Sequence, residues 1–541
     1  MVERFKRCAS VIGIRTDIMT KSASSMNLAI APGKPPAFRT VVQPVWNCSV
    51  LVIPVFENQD QRFVAKNLPP EIAGAVHTAV ELHDFEAKAG TILQADGIGG
   101  ARRLILLGMG KAQDFNADQI RWAGSLLSRH LRKIKVASAT FHPAGLERTN
   151  WPVLAGALGE GFALGDFKFS VYKTEKKANG IQKDPRDNKP LELIVCCPDQ
   201  ASEKAVEKML AEKSIITTAA NLARRVACHP GNIIRPDSLT AIARTLAAAN
   251  KLKFSVIDAK EAEKLGMGGL CAVGAGGEAP PALIILEYHP RSAKEKTAKP
   301  IAVVGKAVTF DTGGISIKPA ADMGAMKYDK CGGMAVLGIM QAVAQLRLPH
   351  KVVGLIPTAE NTLDSRAYRP GDILRMYNGK TVDVTNTDAE GRLILADAIA
   401  YACQKFAPGA LIELSTLTGG VVVALGGVFA GLMAGDDTLA ANLTAAGQAT
   451  GERLWRLPLD KAYRKLLDSP HADMVNSGGR EAHPIQGGMF LSEFVAQGVP
   501  WAHLDIAGVA DPKKDDRWWI GDNASGFGVR LVVEYLQRLG A

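Results

Sequence analysis

Two acidic side chains and one basic side chain follow a run rich in β-branched residues in this chain. The segment 381–393 reads TVDVTNTDAEGRL, which places Asp388, Glu390 and Arg392 two residues apart. The residues before them are typical of a buried strand, and an unpaired buried charge costs several kcal/mol. These three side chains therefore need partners that the local sequence does not supply.

Two further segments carry charged residues next to glycines. The strand-like run IAVVG at 301 leads into KAVTFDTGGISIKP, which contains Lys306, Asp311 and Lys318 and two glycines for a tight turn. The segment AMKYDKCGGMAVLGIMQAVAQL places Asp329 just before a helical pattern, where the amides of a helix N-terminus stabilise a carboxylate. Because chemistry in open α/β sheets lies at the carboxyl ends of the strands, these segments are expected to meet at one sheet edge.

The four carboxylates of these segments together indicate a metal site. Taken singly, an acidic residue before a helix is usually a capping residue. The set consists of Asp311, Asp329, Asp388 and Glu390. Its formal charge of about −4 would be neutralised by two divalent ions, and carboxylates suit Mn²⁺, Mg²⁺, Co²⁺ or Zn²⁺. Two such ions, roughly 3.5 to 4 Å apart, can activate a shared water and stabilise an oxyanion.

Strand-like and helical patterns alternate along most of the chain, which predicts an α/β fold. Residues 46–200 contain short apolar runs between helical patterns and form a predicted N-terminal α/β domain. A helical pattern at 201–228 ends at the sequence HPG and is predicted to join this domain to a catalytic domain at 229–541. The longer apolar runs of the second domain suit a largely parallel sheet with helices on both faces.

The net charge of +10, from 64 basic and 54 acidic side chains, is unevenly distributed. Residues 1–45 carry seven basic and two acidic side chains, so half of the excess lies in this stretch, which is predicted to be a flexible N-terminal extension. The basic segment 172–190 mixes both signs with Gly and Pro, as solvated loops do. This distribution weakens the alternative that the chain binds nucleic acid or a membrane surface.

The cysteines and the N-terminal residues indicate the cellular location of the protein. The eight cysteines contain no C-x-x-C pair and are typical of reduced thiols in an intracellular protein. We predict a cytoplasmic protein, with a mitochondrial transit peptide in the basic extension as the alternative. The uncharged segment 414–435 has the length of a membrane span, but its six glycines favour a buried strand followed by a glycine-rich turn.

Two other enzyme classes lack their motifs in this chain. The glycine-rich stretch VGAGGEAP at 273 follows a strand-like pattern, but it does not have the G-x-G-x-x-G spacing of a dinucleotide site, and its prolines interrupt a following helix. No H-E-x-x-H motif of a single-zinc metalloprotease is present in the sequence.

The signature segments of the leucyl aminopeptidase family, the dinuclear cytosol aminopeptidases, closely resemble VGKAVTFDTGGISIKP, MKYDKCGGMAV and NTDAEGRLILADA of this chain. Flanking family segments resemble IPTAENTLDSRAYRPGDIL, SGGREAH and WAHLDIAG. The resemblance extends from about residue 200 to the end, and the earlier residues add little to it.

The resemblance implies that five residues bind two divalent ions, Mn²⁺ or Zn²⁺, with Co²⁺ or Mg²⁺ as alternatives in the exchangeable site: Lys306, Asp311, Asp329, Asp388 and Glu390. In the family pattern, Asp311 and Glu390 bridge both ions. Asp388 completes the exchangeable site, whereas Asp329 and a neutral Lys306 complete the tight one.

The resemblance also implies two catalytic side chains. Lys318 would polarise the scissile carbonyl, and Arg392 would hold a bicarbonate that acts as general base. The implied reaction removes the N-terminal residue, preferably leucine or a similar one, from short peptides with a free amino group. The family further implies a homohexamer.

The chain departs from the family pattern at two places. Lys330 and the pair Gly333-Met334 follow Asp329 where the family often has Met and small residues. The sequence HPIQGG at 483–488 replaces a run of small residues near the pocket for the first side chain, so it bears on the leucine preference. We predict that His483 is not a metal ligand. Nucleic-acid binding, which some relatives combine with peptidase activity, stays an alternative.

Overall fold

The computed structural model describes most of the 541-residue chain, namely residues 34–42, 46, 48–57, 68–98, 101–144, 146, 150–173, 189–290, 299–321, 323–511 and 523–540. Most of the predicted extension and of the basic segment 172–190 lies outside these residues. The domain boundaries drawn from the sequence stay predictions.

The first part of the chain forms a six-stranded sheet. Its strands are β1 (Ala37–Val41), β2 (Leu51–Val55), β3 (Ile92–Ile98), β4 (Ala101–Gly108), β5 (Ser138–Phe141) and β6 (Glu192–Cys196), in the order β1-β6-β5-β2-β4-β3. All neighbours are parallel except β3 and β4. The helices α1 (Pro70–Leu82), α2 (Ala117–Lys133) and α3 (Trp151–Gly165) follow in chain order. Because β1 pairs with β6, the sheet begins inside the predicted extension.

A long helix, α4 (Gln200–Cys228), connects this sheet to the rest of the chain. It begins at Asp199, whose side chain accepts a hydrogen bond from Ser202 N at 2.7 Å, and it ends before Pro230. Its apolar face packs against α3 and joins the core of the second part of the chain. The predicted joining helix is therefore confirmed.

The second part of the chain is built on a nine-stranded sheet. Its strands are β7 (Lys253–Ile257), β8 (Ala282–Tyr288), β9 (Ile301–Gly305), β10 (Ala307–Asp311), β11 (Val352–Asn361), β14 (Ala410–Ser415), β15 (Ala430–Ala434), β16 (Leu454–Arg456) and β18 (Trp501–Asp505). The order is β16-β15-β18-β14-β9-β11-β8-β7, and β10 pairs with β11. The central strands β18, β14, β9 and β11 run parallel, and antiparallel neighbours flank them. A separate small sheet contains β12 (Ile373–Arg375), β13 (Thr381–Asp383) and β17 (Met474–Val475).

Helices cover both faces of the large sheet. They are α5 (Pro236–Asn250), α6 (Ala259–Lys264), α7 (Gly268–Gly274), α8 (Cys331–Leu346), α9 (Glu390–Phe406), α10 (Gly419–Leu425), α11 (Asp437–Thr450), α12 (His483–Ser492), α13 (Ala507–Ala510) and α14 (Val529–Leu539). One apolar core contains residues of α5, α8, α11 and α14, and the other contains residues of α7, α9 and α12. The predicted class, two α/β parts joined by a long helix with a largely parallel catalytic sheet, is confirmed.

Three local details differ from the sequence expectations. The run before Asp388 forms only the three-residue β13, which belongs to the small sheet and not to the large one. The residues of VGAGG begin inside α7, so no strand precedes them. The segment 414–435 contains the end of β14, then α10, then β15, and no helix among the described residues is long and apolar enough to span a membrane.

Candidate metal centre

Lys306 occupies the junction between β9 and β10, where hydrogen bonds hold its main chain from two sides. Its N–H donates to Leu414 O at 3.1 Å, and its carbonyl accepts from Gly333 N at 2.7 Å. A Cβ on Gly391 would lie 2.6 Å from Lys306 Nζ, so the lysine side chain passes directly over this glycine. The side chain is consequently directed to the start of α9, where Glu390 is the first helical residue.

A close approach of α8 to the sheet brings Asp329 to the same place. Gly332 lies in the first turn of α8, and a Cβ there would overlap Leu414 O and lie 3.0 Å from Lys306 N. Only glycine fits this contact between a helix and two strand ends. Asp329, two residues before α8, therefore lies beside Lys306.

Three of the predicted ligands converge on one point. Carboxylate oxygens of Asp311, Asp329 and Glu390 lie within 4.8 Å of one another, and all three residues are buried. Lys306 Nζ forms ion pairs of 2.8 Å with both Asp329 Oδ1 and Glu390 Oε1. It also donates to Thr416 O at 3.0 Å. These four predicted residues thus form one cluster.

Asp388 is connected to this cluster through Lys318. Lys318 Nζ lies 2.8 Å from Asp311 Oδ2 and forms a second ion pair with Asp388 Oδ1. The turn that carries Lys318 contains Gly313 and Gly314 with positive φ angles of 85° and 65°, a conformation that glycine adopts without strain. Asp388 is not part of the three-carboxylate group found among the described residues.

The charges of the cluster shift the pKa values of its members. Burial alone would lower the pKa of Lys306, but the neighbouring carboxylates, Asp329 first, outweigh burial and raise it. Burial raises the pKa of Asp329 well above its usual value, although Lys306 opposes this shift. Burial, followed by the charges of Glu390 and Asp311, raises the pKa of Asp388 to about 6. In contrast, burial would raise the pKa of Glu390, but the charges of Lys306 and Lys318 outweigh burial and lower it.

The donor set fits a divalent cation. Asp329 Oδ2 is buried and has no hydrogen-bond partner among the residues that the structure describes, and a buried acceptor of this kind costs about 1–3 kcal/mol when it stays unpaired. Hard and borderline dications bind carboxylate oxygens. A cation between these three carboxylates would satisfy the unpaired oxygen and offset both the burial of Asp311 and Asp329 and their repulsion by Glu390, which together raise their pKa values.

Arg392 lies two residues after Glu390 in α9 and is fully buried. Its Nη1 donates to Asn476 O at 2.7 Å, whereas its Nε has no partner within the described parts of the chain. Burial lowers its pKa to about 10, although Glu390 and Asp505 oppose that shift. The guanidinium stays protonated at neutral pH and can accept an anion as a further partner.

The cluster lies in a cavity of about 730 Å³ whose other walls are largely apolar. The charged lining residues are Lys306, Asp311, Lys318, Asp329, Asp388, Glu390 and Asp511. Met326, Val422, Val428, Ala507 and Ala510 contribute apolar side chains to the same cavity. An arrangement of this kind can hold a small molecule with one polar end and one apolar side chain.

Four supporting residues were not predicted from the sequence. Thr416 Oγ1 donates to Asp329 Oδ1 at 2.7 Å, and Asn361 Nδ2 donates to Asp311 Oδ1 at 2.8 Å. Thr387 Oγ1 donates to Gly313 O at 2.6 Å, and Asp505 accepts from Thr418 Oγ1 at 2.6 Å. The position of Thr416 after the strand-like run ALIELS was a usable signal, since β14 ends beside β9.

Comparison with known proteins agrees with this geometry. The model of the cytosol aminopeptidase family catalytic domain matches residues 221–533, and that of its N-terminal domain matches residues 52–176. The chain is 40% identical to a probable cytosol aminopeptidase of Geobacter sp. (strain M21) over 493 residues, which cover 90% of this chain and 96% of the relative. It is 41% identical to a probable cytosol aminopeptidase of Roseiflexus castenholzii, covering 84% and 90% of the two chains.

Solved structures show the same fold. The bottromycin maturation enzyme BotP in complex with Mn superposes with a TM-score of 0.79 at 30% identity, covering 91% of this chain and all of the other (100%). A mutant of tomato leucine aminopeptidase superposes with a TM-score of 0.81 at 29% identity, covering 94% and 98%.

Fold, carboxylate cluster and comparisons together define a metallopeptidase with a divalent-metal site. The chain belongs to the cytosol aminopeptidase family and is an aminopeptidase, a hydrolase that acts on peptides.

Proposed function

We propose that this aminopeptidase removes leucine or a similar N-terminal residue from short peptides and that it uses two divalent ions. The observation that carries the proposal is the convergence of Asp311, Asp329 and Glu390 with two lysines at one wall of an apolar cavity. Four acidic side chains and two lysines leave a net negative charge that dications would balance.

The ligands are assigned as the family resemblance implies. Asp311 and Glu390 would be shared by the two ions, and their ion pairs with Lys318 and Lys306 place both of them in the same charged cluster. On this assignment Asp329 and Lys306 belong to one ion, whose positive charge would displace the proton of Lys306 so that its nitrogen can bind, and Asp388 belongs to the second. When bound, the ions would activate water and stabilise the oxyanion that forms during hydrolysis.

Lys318 is assigned to the substrate carbonyl. Burial would lower its pKa, but Asp311 and the other carboxylates outweigh burial and raise it, so the side chain stays an ammonium ion. It is the more exposed of the two lysines, with 21% of its side-chain surface accessible against 3% for Lys306. A cation at the open side of the cluster can contact a carbonyl oxygen and stabilise the charge that develops on it.

The cavity supports the proposed preference for a leucine-like residue. Its apolar wall contains Met326, Val422 and Val428, together with the small Ala507 and Ala510. Burial of a branched aliphatic side chain contributes about 1.5–3 kcal/mol, so peptides with such a first residue would bind better than those with a polar one.

Arg392 is assigned to a bicarbonate that accepts a proton during hydrolysis. The support is its unpaired Nε, which is buried, and the position of Arg392 two residues after Glu390 on α9. A homohexamer and a cytoplasmic location follow from the family resemblance and complete the proposal. Domain boundaries near residues 200 and 229 agree with the ends of α4.

The test is hydrolysis of leucine amide by chelated protein and by protein reloaded with Mn²⁺ or Zn²⁺. We expect activity only after reloading, no cleavage of N-acetyl-leucine amide, and loss of activity in a reloaded Asp388→Ala variant. Two metal ions per chain should be found by elemental analysis of the wild type. A reloaded wild type that is inactive on leucine amide and on a panel of dipeptides would refute the proposal.

A further inference from the structure

His483 lies in the wall of the metal-centre cavity, within the segment in which this chain departs from the pattern of its family. It is the first residue of α12 and is half-buried. It is not a member of the carboxylate group that could hold an ion in the described structure. An imidazole beside a hydrolytic site needs a different explanation.

Helix geometry places His483 on the face of α12 that approaches Arg392. Residues 483 and 487 are four apart in α12 and therefore share one face of the helix. A Cβ on Gly487 would lie 3.7 Å from Arg392 Nη2 and 2.9 Å from Leu417 Cδ2, so this face packs on the anion-binding end of the site. His483 lies on that same face.

The ring is packed against the turn that begins α10. A Cβ on Gly420 would lie 2.9 Å from His483 Cβ and 3.2 Å from its Nδ1, so the histidine occupies space that a larger residue at position 420 would fill. Gln486 holds the preceding loop, because its Oε1 accepts from Gly478 N at 2.9 Å and its Nε2 donates to Glu481 O. The position of His483 is thus defined by its packing against Gly420, and Gln486 fixes the loop that precedes α12.

The surroundings keep the imidazole neutral near pH 7. Burial and the charge of Arg392 on α9 lower the pKa of His483 below its usual value, and Asp505 at the end of β18 opposes this shift. A neutral imidazole has one ring nitrogen that can accept a proton.

We propose that His483 is a second proton acceptor of this site, able to replace the anion held at Arg392; the inference rests on the proposed aminopeptidase function. The water gives a proton to an imidazole nitrogen while its oxygen bonds to the carbonyl carbon. The imidazolium returns that proton to the leaving amine nitrogen as the C–N bond breaks. One water is consumed for each bond cleaved, and no other co-reactant is needed.

The test combines removal of His483 with removal of bicarbonate. The metal-reloaded wild type, His483→Asn and His483→Gln are assayed with leucine amide in buffer purged of carbon dioxide and in buffer with added bicarbonate. We expect the wild type to keep its kcat/KM in both buffers. Each variant should be active with bicarbonate and fall by about 100-fold without it, in line with the usual contribution of a general base.

Two controls separate this role from a structural one. His471→Asn, which changes an exposed histidine, should behave as the wild type in both buffers. Imidazole added to His483→Ala in purged buffer should restore activity, which a packing defect would not allow.

The outcomes distinguish the inference from the proposed function. If bicarbonate removal lowers wild type and His483 variants by the same factor, or if imidazole restores nothing, His483 is not a proton acceptor. A wild type without activity in every buffer and with every metal would instead refute the aminopeptidase proposal itself.

Discussion

Lys306 and Lys318 each pair with two carboxylates of the acidic cluster and compensate part of its negative charge. Lys306 is almost inaccessible and pairs with Asp329 and Glu390, whereas Lys318 is partly exposed and pairs with Asp311 and Asp388. Their different accessibility fits the functions proposed for them, in which Lys306 holds the cluster together and Lys318 contacts the substrate.

Lys318→Ala should reduce catalysis without removing the metal. Loss of one preorganised donor to a developing oxyanion typically lowers kcat by about 100- to 1,000-fold. We expect a decrease of this size in the hydrolysis of leucine amide, with unchanged metal content per chain. Lys264→Ala, which changes an exposed lysine on α6, is the matched control and should keep full activity. Loss of bound metal in Lys318→Ala would contradict the assignment.

Thr416→Val should weaken metal binding. The change removes the hydroxyl that donates to Asp329 Oδ1 but keeps the main-chain carbonyl that accepts from Lys306. Partners that orient a ligand typically contribute 10- to 100-fold in metal affinity, so calorimetric titration of the chelated variant with Mn²⁺ should show about that loss. Thr444→Val, on α11, removes only a hydrogen bond to Ala440 O and should have no effect on Mn²⁺ affinity.

At the level of elements, the centre depends on how closely α8 approaches the ends of β9 and β14. The hydrogen bond from Gly333 N to Lys306 O holds α8 against the strand ends, and the absence of a side chain at Gly332 lets the two backbones come this close. The backbone positions of α8, β9 and β14 set the positions of the carboxylates. Small shifts of α8 would therefore move the carboxylates apart.

Gly332→Ala should disturb both stability and metal binding. The added methyl group would overlap Leu414 O, so α8 has to move away from the sheet. Overpacking of this kind typically costs about 1–3 kcal/mol, which urea unfolding would measure, and the Mn²⁺ affinity should fall as well. Gly324→Ala is the control, since a Cβ there meets nothing within 4 Å. Equal stability and affinity of the two variants would show that the approach is not tight.

The class of each major element could be predicted, but some of their partners could not. The joining helix was predicted to begin at residue 201 and is observed at Gln200–Cys228, because its caps and helical pattern are local. In contrast, the sequence pattern predicts β13 as a strand of the main sheet, whereas β13 pairs with β12 and β17 in the small sheet. Strand pairing depends on residues about 90 positions away, such as the pair Val382 and Met474.

For the whole molecule, a buried group of charges joins its two parts. Glu160 of α3 accepts from Arg121 Nε at 3.1 Å and from Arg530 Nη1, on α14, at 3.0 Å. Arg530 also lies 3.3 Å from Glu452. Removing one member of a buried ion pair leaves an uncompensated charge, so this group makes the two parts depend on each other.

Stability should fall at low pH because of Glu160. Burial would raise its pKa, but Arg121, Lys213 and Arg530 outweigh burial and lower the pKa from 4.5 to about 2. Since the folded state holds this proton less tightly than the unfolded chain, the contribution is complete above pH 4.5 and is lost as the pH falls through about 2.

Glu160→Gln should remove this contribution. We expect a loss of about 3 kcal/mol in the free energy of unfolding at pH 7 and a weaker dependence of that free energy on pH between 4.5 and 2. Urea unfolding at several pH values measures both quantities. The exposed Glu263→Gln serves as the comparison, and a Glu160→Gln variant as stable as this control at pH 7 would rule out the coupling.

The sequence alone determined the α/β class, the joining helix and the identities of the charged residues, because periodicity, caps and residue types are local properties. It also placed Asp311, Asp329 and Glu390 in one predicted site, since each follows or precedes a strand or helix boundary that the pattern marks.

Only the tertiary structure decided which groups meet. The pairing of Lys306 with the Thr416 carbonyl spans 110 residues, and that of Glu160 with Arg530 spans 370. The face that α12 presents to Arg392 likewise depends on where Gly487 packs. Such contacts result from the packing of whole helices on a sheet, and no local pattern in the chain encodes the distances between their side chains.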